Sequence, residues 1–459
     1  MTLVIIGGGP AGYVAAITAA RFGREVVLID QGQLGGTCLN EGCIPTKSLL
    51  QSADMYERVK SAAHFGIELP GEKPIIQWDV VQKRKESVVK QLTDGVRYLM
   101  NKNKIKVING KASFLAAHEM LIESEGACEI IQATQIIIAS GAAPAALPFA
   151  PFDGKWVIDS KDAMSLPSIP DSLCIIGGGV IGCEFASIFS RMGTKVVMIE
   201  QSVRILPEED DDIAQCLHDQ LEEAGVDILT SAAVNQLDST SKKVVIERKH
   251  GERCEIQSDL CLVAIGRKPR LDELNLDQIG IEYDWNGINV NEHMQTNLSH
   301  IYACGDVTGG VQLAHVAFHE GTIAASHASG EHVKVNEQVI PRCIYTSPEI
   351  ASVGLNEEKA RNQYKDIRIG KFSFSANGKA LILNQPVGQV KIIVEPQYQE
   401  IVGVSIIGPN ATELIGQAAV MMHSELTVDT LEQYIAAHPT LSEAIHEALL
   451  QTSGRAVHC

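Results

Sequence analysis

The 459 residues exceed what one core normally holds, and at the usual scale of about 100 to 200 residues per domain they predict about three domains. A formal charge of -18 with no basic stripe argues against nucleic acid as a partner. The opening MTLVIIGGGPAG has a short apolar run and no basic leader, which argues against a signal peptide or membrane anchor and for a cytoplasmic protein. Eleven cysteines, mostly single and in apolar settings such as Cys174, Cys261 and Cys304, suit buried reduced thiols better than a secreted disulfide framework.

In chain order, the first predicted unit is an apolar strand, LVII, a turn carrying Gly7, Gly9 and Gly12, a helix, and a second strand, VVLID, ending at Asp30. The same unit recurs as LCII, then Gly177, Gly179 and Gly182, a helix, and VVMIE ending at Glu200, with the acid equally far beyond the third glycine. A lone GxGxxG is weak, but here the strand, turn, helix, strand and acid are all present twice. The first glycine permits the tight turn, the second lets backbone approach a pyrophosphate, and the third lets helix and strand pack closely. Two such Rossmann-like units imply two dinucleotides. Glu200 favours NAD, because its carboxylate accepts from both ribose hydroxyls and repels the 2′-phosphate of NADP. Arg204 stands close by, and its expected place is the entrance of the next helix.

Further along, CLVAIGRKPR predicts a strand ending at Gly266, and TNLSHIYACGD another ending at Gly305 and Asp306. In flavoenzymes holding two dinucleotides, IYACGD resembles the segment that returns to the FAD domain, where the aspartate meets the ribityl chain. The resemblance implies a split FAD domain, 1–144 and 268–334, with an NAD domain, 145–267, inserted, and crossings at 144–148 and 267–270. From 335 to 459 strand-rich segments and the helical ATELIGQAAVMMHSEL predict a third, α+β domain. The expected fold class is therefore α/β, with two Rossmann-like domains and a C-terminal α+β domain.

The densest chemistry lies in Gly35-Gly36-Thr37-Cys38-Leu39-Asn40-Glu41-Gly42-Cys43-Ile44-Pro45-Thr46-Lys47. Two cysteines separated by four residues can close a short disulfide if the backbone turns at Gly42, and a helix start lowers a nearby thiol below its free pKa of about 8.5. The alternatives are a zinc half-site or two inert thiols. No second Cys/His pair with ligand spacing follows, so no metal site is expected, and inert thiols do not call for flanking glycines.

This segment, GGTCxNxGCxPxK, resembles the active-site signature of the pyridine nucleotide-disulfide oxidoreductase family, and the resemblance extends over essentially the whole chain. It implies that Cys43 is the thiol beside the flavin and Cys38 the interchange thiol that attacks the substrate disulfide. Lys47, one helical turn after Cys43, is implied near the flavin ring and paired with Glu184. For FAD the matching positions are the first glycine turn, Asp30, Lys47, Ala112, Asp306 and Ala314; Val234 and Gly266 are expected to line the NAD site. Asp30 stands where glutamate is commoner, and Ser140 replaces the usual threonine.

The last segment, HPTLSEA, resembles the branch of the family acting on dihydrolipoyl groups. It implies His438 as acid/base and Glu443 as its orienting carboxylate, although Thr440 and Glu443 also spell a capping box for the terminal helix. A vicinal cysteine pair at the C-terminus, the mark of mercuric reductases, is absent, the chain ending His458-Cys459. By resemblance the protein is a homodimer joined through its third domain, with His438 serving the partner's cysteines. Its expected role is the third component of a 2-oxoacid or acetoin dehydrogenase complex, where it meets a lipoyl domain and the core acyltransferase.

Overall fold

The computed structural model describes residues 2–458 except 70, 72–73, 249–250 and 337; Met1 and Cys459 lie outside the described residues. The first sheet is parallel, in the order Ile301–Ala303, Gln135–Ile138, Thr2–Ile6, Glu25–Asp30, Lys106–Asn109. Its central strand is a continuous apolar run because both faces are covered, as parallel sheets require. Leu3 and Ile5 pack with Ala11, Ala15 and Ala16 of the helix Pro10–Arg21 on one face. Val4 and Ile6 pack on the other face with Phe114, Met120 and Ile122 of a three-stranded antiparallel meander, Lys111–Ala116, Glu119–Ser124 and Ala127–Gln132.

The second parallel sheet repeats this plan in the order Asp227–Leu229, Lys195–Ile199, Ser172–Ile176, Leu260–Val263, Val157–Ile158. Leu173 and Ile175 face the helix Val180–Arg191, and Cys174 and Ile176 face a second antiparallel meander spanning Ala232–Asp238, Lys243–Arg248 and Arg253–Gln257. The chain leaves and re-enters the first sheet's side through a two-stranded antiparallel ribbon, Ala142–Pro144 against Arg267–Pro269. Strand Ile301–Ala303 then completes the first sheet, so the second sheet lies inside the chain path of the first.

The remaining sheet is antiparallel, in the order Arg342–Ile344, Glu349–Gly354, Ile401–Gly408, Gln389–Val394, Arg368–Ser373. Helices Ala411–His423 and Glu443–Thr452 pack on it around Val404, Ile406, Ile415 and Ile445. Among the described residues, no helix is long and apolar enough to cross a membrane.

Candidate active site

Each glycine of the first turn does a distinct job. Gly7 has φ +102°, a left-handed conformation that favours glycine. A Cβ on Gly12 would overlap the Gly7 carbonyl oxygen, so the third glycine sets how closely helix and strand meet. Gly9 has only the Gly36 Cα near its open side and begins the helix Pro10–Arg21 with no side-chain cap, which leaves the first amides of the helix to an anion. The second turn repeats the pattern: Gly177 at φ +110°, Gly182 against the Gly177 carbonyl, and Gly179 with open space and an uncapped helix. These are cradles for two diphosphates, and they fit FAD and NAD.

The two acids are anchored as well as available. Asp30 accepts from the Gly8 amide through Oδ2 and from the Gly32 amide through Oδ1 at 2.6 Å. Glu200 accepts from the Gly178 amide at 2.6 Å and the Ser202 amide at 2.6 Å. Each carboxylate oxygen keeps a second lone pair for a ribose hydroxyl. Arg204 donates to the Pro207 carbonyl at 2.9 Å and pairs with Asp211 at the start of the helix Asp211–Glu223, so it sits at the helix entrance as expected.

Beyond Asp30 the chain folds back on the turn. The Gly35 amide donates to the Gly8 carbonyl at 2.8 Å, and a Cβ on Gly36 would collide with the Gly9 Cα. This close approach launches the short helix Gly36–Glu41, which carries Cys38, and Gly42 then opens the helix Cys43–Lys60. A Cβ on Gly42 would press against the Thr37 carbonyl at 2.9 Å, so crowding calls for glycine there. Asn40 binds the turn together by donating to the carbonyls of Leu34 and Gly36 at 3.2 and 2.9 Å.

Cys38 and Cys43 are brought together as free thiols. The Cys38 S–H donates to the Cys43 sulfur, and this bond, with Lys47 helping and burial opposing, lowers Cys43 to about 7. The same bond, then burial, raises Cys38 well above the ordinary thiol range. Cys43 presents exposed surface, whereas Cys38 is half-buried. Lys47 Nζ lies 2.7 Å from both Glu184 oxygens, and Glu184 is only 4% exposed. The Tyr345 amide donates to Glu184 at 3.0 Å, and the Tyr345 ring lies 4.6 Å from the Lys47 ammonium. Glu184 is buried while Lys47 is partly exposed, so removing Lys47 would leave an unpaired buried carboxylate.

Asp306 begins a one-turn helix, and burial raises its carboxyl pKa against the pull of Arg267, 4.0 Å away. Arg267, treated above only as a crossing, also donates to the Ala142 carbonyl at 2.5 Å and to Thr37 at 3.4 Å, tying the ribbon to the cysteine segment. Ala314 is the first residue of the helix Ala314–Ala328, which begins without a side-chain cap. That helix lies against Pro10–Arg21 so closely that a Cβ on Gly321 would overlap the Ala11 carbonyl. Ala112 is buried among apolar side chains on the meander strand Lys111–Ala116. Ser140 donates to the Arg270 carbonyl at 3.0 Å. Val234 lies at a bulge of the second meander, and Gly266, at φ +119°, has open space on its Cβ side and accepts from the Ala145 amide.

His438 and Glu443 meet on the loop before the last helix, His438 Nδ1 lying 2.9 Å from Glu443 Oε1. Glu443 Oε2 accepts from the Thr440 amide at 2.8 Å. One carboxylate thus holds both the imidazole and the backbone, although burial opposes its charge, and these two partners keep its pKa below the usual carboxylate range. The Thr440 hydroxyl turns away to the Ala437 carbonyl and the helix begins only at Glu443, after Ser442, so the expected capping box does not form and the Glu443–Thr440 bond ties down the preceding loop. The His438 side chain is 77% exposed in the single chain.

Residues 1–321 match the family described as Pyridine nucleotide-disulphide oxidoreductase, and residues 340–449 match its dimerisation domain. The chain belongs to the pyridine nucleotide-disulphide oxidoreductase family. This oxidoreductase is 60% identical to a dihydrolipoyl dehydrogenase of Bacillus subtilis (strain 168), over 100% of both chains. It is 41% identical to a second dihydrolipoyl dehydrogenase of that organism, over 99% of this chain and 98% of the other. Among solved structures it resembles LpdA from Mycobacterium tuberculosis with TM-score 0.90 and 28% identity, covering 98% of this chain and 99% of that one. It also resembles the HOCl-induced flavoprotein disulfide reductase RclA from Escherichia coli with TM-score 0.86 and 30% identity, at the same coverage. Enzymes of this oxidoreductase family use FAD and NAD, for which the two glycine turns are built. The dimerisation domain supports a homodimer.

Proposed function

We propose that this oxidoreductase oxidises protein-bound dihydrolipoyl groups and reduces NAD+ to NADH, as the shared third component of a 2-oxoacid or acetoin dehydrogenase complex. In that role it docks with a lipoyl domain and the core acyltransferase in the cytoplasm. Residues 1–144 and 268–334 are read as the FAD domain, 145–267 as the NAD domain and 335–459 as the interface domain. The observation that carries the chemistry is the Cys38–Cys43 pair, with its hydrogen bond aimed at Cys43 and Lys47 held beside it. The full-length likeness to a dihydrolipoyl dehydrogenase supports the substrate.

The enzyme's resting disulfide is attacked at Cys38 by one dihydrolipoyl sulfur. A mixed disulfide forms, the Cys38–Cys43 bond breaks, and Cys43 leaves as a thiolate, which its lowered pKa favours. The second dihydrolipoyl sulfur then attacks the first, releasing the cyclic disulfide and leaving Cys38 as the second thiol. One proton of the dihydrolipoyl group goes to His438 of the partner subunit and the other to the Cys38 thiol, with Glu443 holding the imidazole. Asp30 and the first turn bind FAD, and Glu200 and the second turn bind NAD+. FAD held by the first turn would supply two-electron transfer from the Cys38/Cys43 dithiol, which returns to the disulfide, to NAD+ held by the second turn. Replacing Cys43 with Ser is expected to lower NADH production from dihydrolipoamide at least about a thousandfold. Full activity in Cys43→Ser protein would overturn the reading.

A further inference from the structure

We propose that Lys391 is a positioning residue for NAD: a buried cation in the dimerisation domain that holds the acidic segment Glu208-Glu209-Asp210-Asp211-Asp212 and, through it, the second glycine turn. The inference rests on the reading of Glu200 and the second turn as the NAD site.

Lys391 lies in the strand Gln389–Val394, between the buried Val390 and Ile392, and is 2% exposed. Its ammonium stands 2.7 Å from Glu357, 3.3 Å from Asp212 and 3.4 Å from Asp210. Glu357 begins a helix of the same domain, whereas Asp210 and Asp212 come from the segment that follows Glu200. Two further acids of that segment are held from the same side. Glu209 pairs with Arg342 at 3.2 Å and Glu208 with Lys359 at 3.2 Å. Asp210 also accepts from the Glu357 amide at 2.7 Å and the Ser405 hydroxyl at 3.2 Å. Asp212 takes Lys371 at 2.6 Å.

The other end of this segment rests on the NAD turn. The Leu206 amide donates to the Gly178 carbonyl at 2.9 Å, the Ile205 side chain lies against Gly178, and the Gly178 amide donates to Glu200. Arg204 bridges the carbonyls of Pro207 and Glu209 and pairs with Asp211, which stiffens the short span between the two ends. A displacement of the acidic segment is therefore passed to the amides that would face the NAD diphosphate and to the carboxylate that would face its ribose. A charge cluster with Lys391 and Asp210 buried at its centre is a costly way to join two surfaces when apolar contact would serve. What it adds is direction: one cation surrounded by three carboxylates admits few arrangements.

The test uses FAD-loaded protein carrying Lys391→Met and, separately, Lys391→Arg, which restores the cation. For Lys391→Met the KM for NAD+ should rise about tenfold or more with kcat within twofold, since small misplacements of a binding group are costly. Reduction of the bound flavin by dihydrolipoamide in the absence of NAD+ should proceed at the parental rate, and Lys391→Arg should recover most of the KM. A parental KM in Lys391→Met, or equal losses in the flavin-reduction step and the NAD+ step, would overturn the proposal. Should the buried substitutions prevent folding, Arg342→Met, which frees Glu209 from a less buried pair, must raise the KM about threefold or more, and no rise would overturn it. If the parent itself shows no turnover with dihydrolipoamide, the functional reading fails instead, and direct NADH titration of the same variants decides the role of Lys391.

Discussion

The two dinucleotide units share one design, and they part company after the acid. In both, the amide of the middle turn residue, Gly8 or Gly178, donates to the acid, Asp30 or Glu200. In both, the carbonyl of that same glycine accepts an amide from the chain beyond the acid, Gly35 in the first unit and Leu206 in the second. The returning chain then delivers different things. The first delivers Cys38 and Cys43 beside its own glycine turn, and the second delivers an acidic segment to Lys391 of the dimerisation domain. The comparison teaches that the turn supplies binding in either case, while the loop docked on its middle carbonyl decides whether a unit also supplies chemistry or only receives position.

Predictions follow this division, from large effects to small. The chemistry assigned to the first unit needs an acid/base from the far end of the chain, so His438→Ala should lower kcat for dihydrolipoamide oxidation by about 10²- to 10⁴-fold. NADH-driven reduction of an artificial acceptor, which bypasses the thiols, should stay near parental in steady-state assays of the same protein. An equal loss in both assays would place His438 in the fold rather than in proton transfer. The acids should separate the two units next. Glu200→Ala is expected to shift the NAD-to-NADP preference by about 5- to 150-fold, the equivalent of about 1 to 3 kcal/mol per charged hydrogen bond lost, as read from the ratio of kcat/KM values. Asp30→Ala should leave that ratio unchanged and weaken flavin retention, measured by equilibrium dialysis. Interchanged outcomes would mean that the units have been assigned the wrong way round.

Much of this was legible in the sequence because it resides in short-range pattern. The glycine turns, the acids and the cysteine helix are each fixed by residues within one βαβ unit, and periodicity with glycine placement reports them. The Lys47–Glu184 pair, by contrast, was implied only by resemblance, since its partners are far apart in the chain. Lys391 gave no signal: in GQVKIIVEP it reads as the polar residue of a strand facing solvent, yet the strand is buried and its carboxylates arrive from another part of the chain. Arg267 was read only as a crossing, because its partners Thr37, Ala142 and Asp306 converge only in three dimensions. Glu443 posed a choice, orienting carboxylate or helix cap; in the structure one oxygen meets His438 and the other the Thr440 amide of the loop, while the helix starts after Ser442 without a side-chain cap.

The first unit's loop lowers the Cys43 thiol to about 7, through the hydrogen bond with Cys38 first and Lys47 second. Thiolate absorbance of the dithiol-reduced protein, titrated against pH with Cys43→Ser as the reference, tests it most directly. A midpoint of about 7 that disappears in Cys43→Ser and rises in Cys38→Ser is the predicted result, with the thiolate present above that pH and lost below it. A first thiolate that appears only near the ordinary thiol value of about 8.5, or one that survives in Cys43→Ser, would contradict the account.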